Sequence, residues 1–343
     1  TYLPKLVKAG MRVAICDQLE DPKMTKTIVK RGVTELVTPG VALNDEVLVA
    51  KTNNFLASVH FGKKTMGVSF LDISTGEFLT AQGSPEYIDK LLQNFGPSEV
   101  LVQKQYKAQF LELFGDRFYT FYLEDWIFQK AYAYETLTGH FEVSTLKGFG
   151  VEHMEEGVIA SGAVLFYLSE TQHSRLKHIT VINRISEDQY VWMDRFTIRN
   201  LELYQSTAVN AVTLLDIIDK TVSPMGGRLL KRWLALPLKD LKRIQKRHDI
   251  VKYYTDNDDA FDLAVYQINQ ISDLERLVSK VATGKVNPRE VVLLKNSLNA
   301  ILPLKEAAEN SQNESLRSIG EQLQPCDQLR ERITNTLNED APV

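Results

Sequence analysis

Two cysteines in 343 residues, Cys16 and Cys326, stand far apart and share no paired spacing. Their scarcity excludes a disulfide framework, and two free thiols in a reducing compartment is the simple reading. No apolar run approaches the roughly 18 residues of a membrane span, and the first residues carry no signal-peptide pattern. The six histidines, His60, His140, His153, His173, His178 and His248, include no His-x-x-x-His pair. His173 and His178 would point to different faces of one helix, so locally hydrogen-bonded histidines are expected rather than metal ligands. No stretch has the Gly-x-x-x-x-Gly-Lys-Ser/Thr spacing whose backbone N–H groups wrap a nucleotide's phosphates. Gly62-Lys63-Lys64-Thr65 and Gly284-Lys285-Val286 come near without matching it. A net charge of -4 excludes a uniformly basic nucleic-acid binder and leaves only local basic stripes.

What is present is an ordinary globular composition, 44% hydrophobic and 24% charged, at a length that predicts two or three domains. The chain starts at Thr1 without Met and ends at Pro342-Val343 without a terminal signal, which reads as a piece of a longer protein. Residues 1–40 are short and mixed. Tyr2 to Val7 predicts a helix, Val13 to Cys16 a buried strand, and Val33 to Val37 a second strand closed by Thr38-Pro39-Gly40. A linker is expected over 41–53. Phe55 to Val59, Gly67 to Ile73 and Gly76 to Ala81 then predict three strands, the last two joined by Ser74-Thr75-Gly76. Ser84-Pro85-Glu86 opens a helix to about Asn94. Val100 to Val102 is a short buried strand, and Ile127, Ala131 and Tyr134 mark a later helix face. A three-stranded meander followed by helix, strand and helix is the order of a ribonuclease-H-like α/β domain, placed over 54–153.

The remainder, 154–343, reads as helical, apart from a strand-like piece around Gln189 to Asp194. Glu155 to Gln172 carries Val158, Leu165 and Leu168. In the stretch from Asp219 to Leu234, Ser223 suits an N-cap and Pro224 a first helical position. Gly226-Gly227 predicts a close-passing backbone, and Leu229, Leu230, Trp233 and Leu234 an apolar face. Ser272 to Glu275 and Asn287 to Glu290 read as capping boxes, and few breakers interrupt 289–302, so long, lever-like helices are expected. The fold class is therefore multidomain, α/β followed by mostly α.

Chemistry is thin. Asp72, on a strand, could serve a metal-dependent nuclease, with Glu77 and Glu86 nearby, but a clear third carboxylate in a matching element is missing. Asp72 is expected to hydrogen-bond the Ser74-Thr75-Gly76 turn instead. Between Arg228 and Lys252, nine Lys/Arg face two Asp. That stretch admits two readings, phosphate steering or the solvated face of an amphipathic helix. Residues 1–31 are also net basic, and Lys5, Lys8, Arg12, Lys23 and Lys26 are the candidate phosphate contacts there.

Five ordered segments carry a family resemblance. Tyr2 to Gly10 with Val13 to Pro22 resembles the end of the mismatch-recognition domain of the MutS family, and Thr38-Pro39-Gly40 its exit into the connector domain. Leu71 to Phe78 resembles the connector's most recognisable segment. Arg199 to Leu203 and Ser223 to Leu234, followed by Asp273 to Leu277 and Asn287 to Glu290, resemble the core, or lever, domain. The resemblance implies residues 1–40 as the tail of the recognition domain, 54–153 as connector and 154–343 as an incomplete lever. It implies a dimeric parent ATPase that binds mispaired DNA, needs ATP and Mg, recruits MutL and works in the bacterial cytosol. In this chain it implies no catalytic residue, metal or cofactor. The family's Phe wedge, clamp and ATPase domain are expected to lie outside it. The segment over Ser223, Pro224, Gly226, Gly227, Arg228 and Trp233 becomes a candidate pivot, and the chain a linking and transmitting part. The alternative is a scaffold from a relative that binds branched or recombining DNA without reading mismatches.

Overall fold

The computed structural model describes residues 2–20, 28–171, 175–204, 206 and 211–342. The chain divides into two compact units, Thr1–Ser186 and Glu187–Val343.

The first unit begins with helix α1 (Leu3–Lys8), which has Pro4 in its first turn. Strands β1 (Val13–Gln18) and β2 (Arg31–Val37) pair antiparallel, with a register shift between Ile15 and Cys16. β1 was expected to be buried, yet Ala14 and Cys16 are exposed. The hairpin has a small core of Val7, Val37 and Ala42 with Leu3, Val13 and Ile15, so only one of its faces is covered by it. Both cysteines are free thiols. The linker expected over 41–53 starts as buried chain. Val41 and Leu43 enter the main core while Ala42 enters the small one, so alternate residues stitch two cores together.

The meander follows: β3 (Leu56–Phe61), β4 (Met66–Asp72) and β5 (Glu77–Gly83) pair antiparallel in sequence order. Helix α2 (Pro85–Phe95) is capped by Ser84, whose Oγ accepts from Tyr87 N, and ends at left-handed Gly96. β6 (Glu99–Gln103) lies parallel to β3. Helix α3 (Lys107–Phe114) leads to β7 (Thr120–Leu123), parallel to β6. Helices α4 (Lys130–Phe141) and α5 (Glu155–Glu170) come next, and β8 (Asn183–Arg184) closes the far edge beside β5. Sheet order is β7-β6-β3-β4-β5-β8. Every residue of β3, β4 and β6 is buried, which is what a sheet covered on both faces requires. Helix α5, with α4 against it, covers one face; α2 packs against β4 and β5, where Phe95 meets Phe70 at 4.7 Å.

Two expectations are corrected here. The α4 face is set by Ala133 and Leu137, not Ala131, and Ile127 sits in a preceding 3₁₀ turn, Asp125–Phe128. More important, α5 was expected to open the helical half after residue 153. It lies instead on β3 and β4, buried on almost all sides, because its apolar residues are not confined to one stripe. Gly67 on β4 admits it: a Cβ there would collide with the backbone of Glu156.

The second unit is mostly helical. After a 3₁₀ turn, Glu187–Gln189, the expected strand over 189–194 reduces to one bridge, Tyr190 to Leu238. The helices are α6 (Arg195–Asn200), α7 (Leu214–Ile218), α8 (Pro224–Ala235), α9 (Leu241–Thr255), α10 (Asp258–Asn269), α11 (Leu274–Thr283), α12 (Pro288–Glu309), α13 (Glu314–Gln322) and α14 (Asp327–Thr336). The 22-residue α12 spans about 33 Å at 1.5 Å per residue and continues through Pro303. Leu277, Leu294, Leu298 and Ile301 form a core between α11 and α12. Among the described residues no helix is long and apolar enough to cross a membrane.

Candidate functional site

Glu99 opens β6 and is fully buried. A buried carboxylate needs hydrogen-bond donors, and here they come from separated segments. Oε2 accepts from the Thr38 hydroxyl and from Gly40 N at 3.1 Å; Oε1 accepts from the Tyr167 hydroxyl on α5 at 2.6 Å. Burial, then the charge of Glu99, pushes the Tyr167 phenol up, so it stays a donor. Thr38 and Val41 exchange two backbone bonds at 3.2 and 3.1 Å around the tight turn between them. Asn54 donates to Pro39 O at 3.0 Å and accepts from the Ser98 hydroxyl at 2.7 Å. Gly40 is required by packing: a Cβ there would stand 2.7 Å from Glu99 Cβ and 2.9 Å from Leu56 Cδ1. Beside this junction the Arg12 guanidinium lies 3.8 Å from the centroid of Phe121 on β7, and Phe121 meets Tyr167 at 5.4 Å. The segment leaving β2 is thus bonded to the sheet and to its main helix at one point.

Asp72 fastens the neighbouring turn. Oδ1 accepts from Ser74 N at 2.9 Å and from the Ser74 hydroxyl at 2.7 Å, and Oδ2 from Asn53 Nδ2 at 3.0 Å and Asn54 N at 3.1 Å. Oδ1 serves the turn, in agreement with the sequence reading, while Oδ2 holds the segment entering β3, and Glu77 shares the Asn53 amide. Among the described residues no three His, Cys, Asp or Glu side chains are grouped to hold a metal ion. His178 is tied to the same turn, its Nε2 2.8 Å from Ile73 O, while His173 lies outside the described residues.

The second unit has its own ionic node. Arg228 is buried on α8, and its guanidinium grips Asp273 through two bonds, Nη1 to Oδ2 at 2.8 Å and Nη2 to Oδ1 at 2.7 Å. Nη2 and Nε also reach Glu275 Oε2 at 2.6 and 3.1 Å. Burial alone would lower the Arg228 pKa, but the two carboxylates outweigh it and raise it. Asp273 also caps α11 by accepting from Arg276 N, so one carboxylate joins a helix start to a neighbouring helix.

Neither near-match to a phosphate loop fits a nucleotide. Gly62 donates to Thr65 O in the tight turn joining β3 and β4, and Gly284 is the left-handed end of α11. Neither opens a helix whose first N–H groups could meet phosphates.

Comparison with known proteins agrees with these two units. The family model described as MutS domain I matches residues 1–46, MutS domain II residues 54–180, and MutS domain III residues 196–343. The chain belongs to the MutS family. It is 69% identical over its whole length to a DNA mismatch repair protein MutS of Flavobacterium johnsoniae, covering 40% of that protein. The corresponding protein of Christiangramia forsetii is 69% identical with 39% covered, and that of Flavobacterium psychrophilum 68% identical with 40% covered. The chain therefore spans about 40% of the length of these curated relatives.

Within this MutS chain the anticipated residues take different places. Lys5 and Lys8 are exposed, Lys8 donating to Glu46 O at 3.0 Å, whereas Arg12 is turned onto Phe121. Lys23 and Lys26 lie outside the described residues. Ser223 caps α8 by accepting from Gly226 N at 3.1 Å, with Pro224 at its first position. A Cβ on Gly226 would meet Ser223 Oγ at 3.0 Å and Thr221 Cβ at 3.4 Å. What stands close to Gly226 is thus the side chains of its own cap segment, not the backbone of a second helix as expected there. The expected apolar face of α8 is split: Leu229 and Trp233 are about two-fifths exposed and Leu230 and Leu234 half-buried, while Gly227, Arg228 and Ala235 are buried. Arg247 on α9 stacks 3.5 Å from the centroid of Trp233. Of the basic stretch, Lys252 pairs with Asp256 at 2.9 Å, and Lys239, Lys242, Arg243 and Lys246 remain exposed. Glu99 and Tyr167 were missed. Their one signal was a carboxylate opening an otherwise apolar strand, Glu99-Val100-Leu101-Val102.

Proposed function

We propose that this chain links and transmits between the DNA-reading and ATP-using parts of a mismatch-repair protein. The observation that carries this reading is the Glu99 junction. Donors from Thr38, Gly40 and Tyr167 converge on one buried carboxylate, so a displacement of the segment after β2 is passed to the sheet rather than absorbed by a slack linker. The antiparallel meander β3-β4-β5 with β6 and β7 parallel to β3 supports a ribonuclease-H-like connector. That connector offers its surface to a MutL-like protein. The helices α8 to α14 act as the lever, and the segment around Ser223 to Trp233, fixed by Arg228, is its pivot. The whole protein works as a cytoplasmic homodimer on mispaired duplex DNA, with ATP and Mg bound outside this chain.

Lys5, Lys8 and the exposed Lys239, Lys242, Arg243 and Lys246 give DNA phosphates sequence-independent contacts. Fluorescence anisotropy of the chain with matched and mismatched duplexes, at low and at physiological salt, tests the division of labour. Equal, weak and salt-sensitive binding is expected; a mismatch preference that survives physiological salt would overturn it.

A further inference from the structure

A cleft of about 550 Å³ opens in the α/β unit beside the Glu99 junction. That volume lies within the roughly 300–1,000 Å³ of small-molecule sites. Val7 and Lys8 of α1, Leu48 and Val49 of the segment before β3, and Tyr119 just ahead of β7 form its walls. Gly10 closes up to the Tyr119 ring, where a Cβ would stand 3.6 Å from the ring carbons. Tyr119 nonetheless keeps 38% of its surface exposed. The cleft therefore has aliphatic walls and one accessible aromatic face.

Its neutral polar groups hold the walls together. Asn54 bonds Pro39 O and the Ser98 hydroxyl, and Asn53 Nδ2 bonds Asp72 and Glu77. What remains for a ligand is positive charge. Lys8 is the charged residue that lines the cleft, and among the described residues no carboxylate lines it. One of the three N–H donors of Lys8 goes to Glu46 O at 3.0 Å. Arg12 is a second cation close to Tyr119. Burial, then the charge of Glu99, pushes the Tyr119 phenol up, and Arg12 opposes them. The phenol thus stays protonated and adds no negative charge. Arg12 Nε is buried without a hydrogen-bond partner. The carboxylate of Glu99 is fully buried and already taken by Thr38, Gly40 and Tyr167.

We propose that this cleft binds a small aromatic acid, its ring against Tyr119 and the aliphatic walls and its anionic group on Lys8. Offset or edge-to-face contact with Tyr119 suits a planar ring, and Val7, Leu48 and Val49 remove its apolar surface from water. A charge-assisted hydrogen bond from Lys8 fixes the acid group, and an uncharged ring compound lacks that bond. A bound ligand touches α1 and the segment before β3 together, so it restrains the chain on both sides of the Thr38–Val41 turn. The site stands whether or not the junction transmits as proposed above.

The test is a fluorescence titration of the 343-residue chain with anilinonaphthalene sulfonate and with its sulfonate-free analogue, phenylnaphthylamine. The sulfonate binds at least about tenfold more tightly than the analogue. Two variants with unchanged circular dichroism spectra locate the site. Lys8→Glu, at an exposed position, weakens the sulfonate at least about tenfold and leaves the analogue unaffected, whereas Val49→Trp fills the cleft and weakens both. Hydrogen exchange with the sulfonate bound shows added protection over residues 47–54. Equal affinity for the two compounds overturns the proposal, because the cleft is then a plain apolar groove. So does full affinity in Lys8→Glu, or added protection confined to the helical unit. No binding by the parent chain, as when a second copy fills the cleft, overturns it as well.

Discussion

In the α/β unit the large side chains Phe70, Phe78, Tyr87 and Tyr167 are fully enclosed, whereas the helical unit leaves Leu241, Val251 and Tyr266 more than half exposed. Capping runs the other way. Of α1 to α5 only α2 has a side-chain cap, while α6, α7, α8, α9, α11, α12 and α13 all do, and α7 and α12 have full capping boxes. The contrast is physical. Buried apolar surface gives a sheet with covered faces its stability, and helix ends inside such a unit are ordered by packing. Long helices with little enclosed surface rely on local, directional terms: caps, the Lys280–Glu290 pair at 2.6 Å, and the Arg228 node. A unit built this way fixes its helix ends while leaving faces uncovered, in keeping with the lever role proposed above.

The sharpest way to break this comparison is Arg228→Ala. It leaves Asp273 half-neutralised beside Arg276 in a buried site, and a loss of about 3–5 kcal/mol is expected in the helical unit. Urea unfolding followed by tryptophan fluorescence measures it. A loss below about 1 kcal/mol would place the unit's stability in its small core instead.

Next comes acid. His60 on β3 is buried, stacks on Phe128, and has Nε2 3.2 Å from Glu156 Oε2. Burial pulls its pKa down to about 4 despite the nearby carboxylates Glu155 and Glu156. A folded-state pKa below the unfolded value of about 6.5 means that the unfolded chain takes the proton first. The stabilising contribution is complete above about pH 6.5 and is lost as pH falls towards 4, by roughly 3 kcal/mol. Glu156, whose carboxyl is raised by burial and by Glu155, opposes part of that loss. Denaturation at pH 7 and pH 4.5 should show His60→Gln losing about 2 kcal/mol less than the parent chain. Parallel losses would remove His60 from the account.

The smallest effect separates the capping habits of the units. Asn287→Ala breaks the box in which Asn287 Oδ1 accepts from Glu290 N at 2.9 Å, and should cost the helical unit about 1 kcal/mol. Thermal melts read it directly, and an unchanged melting temperature would mean that α12 is held by packing alone.

These features differed in how far they could be read beforehand. Caps are local, so Ser84, Ser223 and Asn287 were legible within four residues of sequence; only Ser272 was displaced by Asp273 as the cap of α11. The strands β3, β4 and β5 were legible because each is bounded by turn residues. Helix α5 was assigned to the helical half because a continuously apolar helix carries no stripe to say what it packs on. The Glu99 site was hidden by distance: Thr38 and Tyr167 lie 61 and 68 positions away. Arg228 was read as one of nine basic residues, since its carboxylate partners are 45 and 47 positions on.

Hydrogen exchange in the parent chain and in Glu99→Gln tests the proposed transmission through this junction most directly. Losing one acceptor for Thr38 and Gly40 should raise opening of the segment after β2 by roughly ten- to hundredfold, equivalent to about 1–3 kcal/mol. The amides of Leu36 and Gly40, bonded to Thr171 O and Glu99 Oε2, report it, while β3, β4 and β5 keep their protection. Unchanged protection at Gly40 would contradict the account, because the segment would then be held to the sheet without the carboxylate.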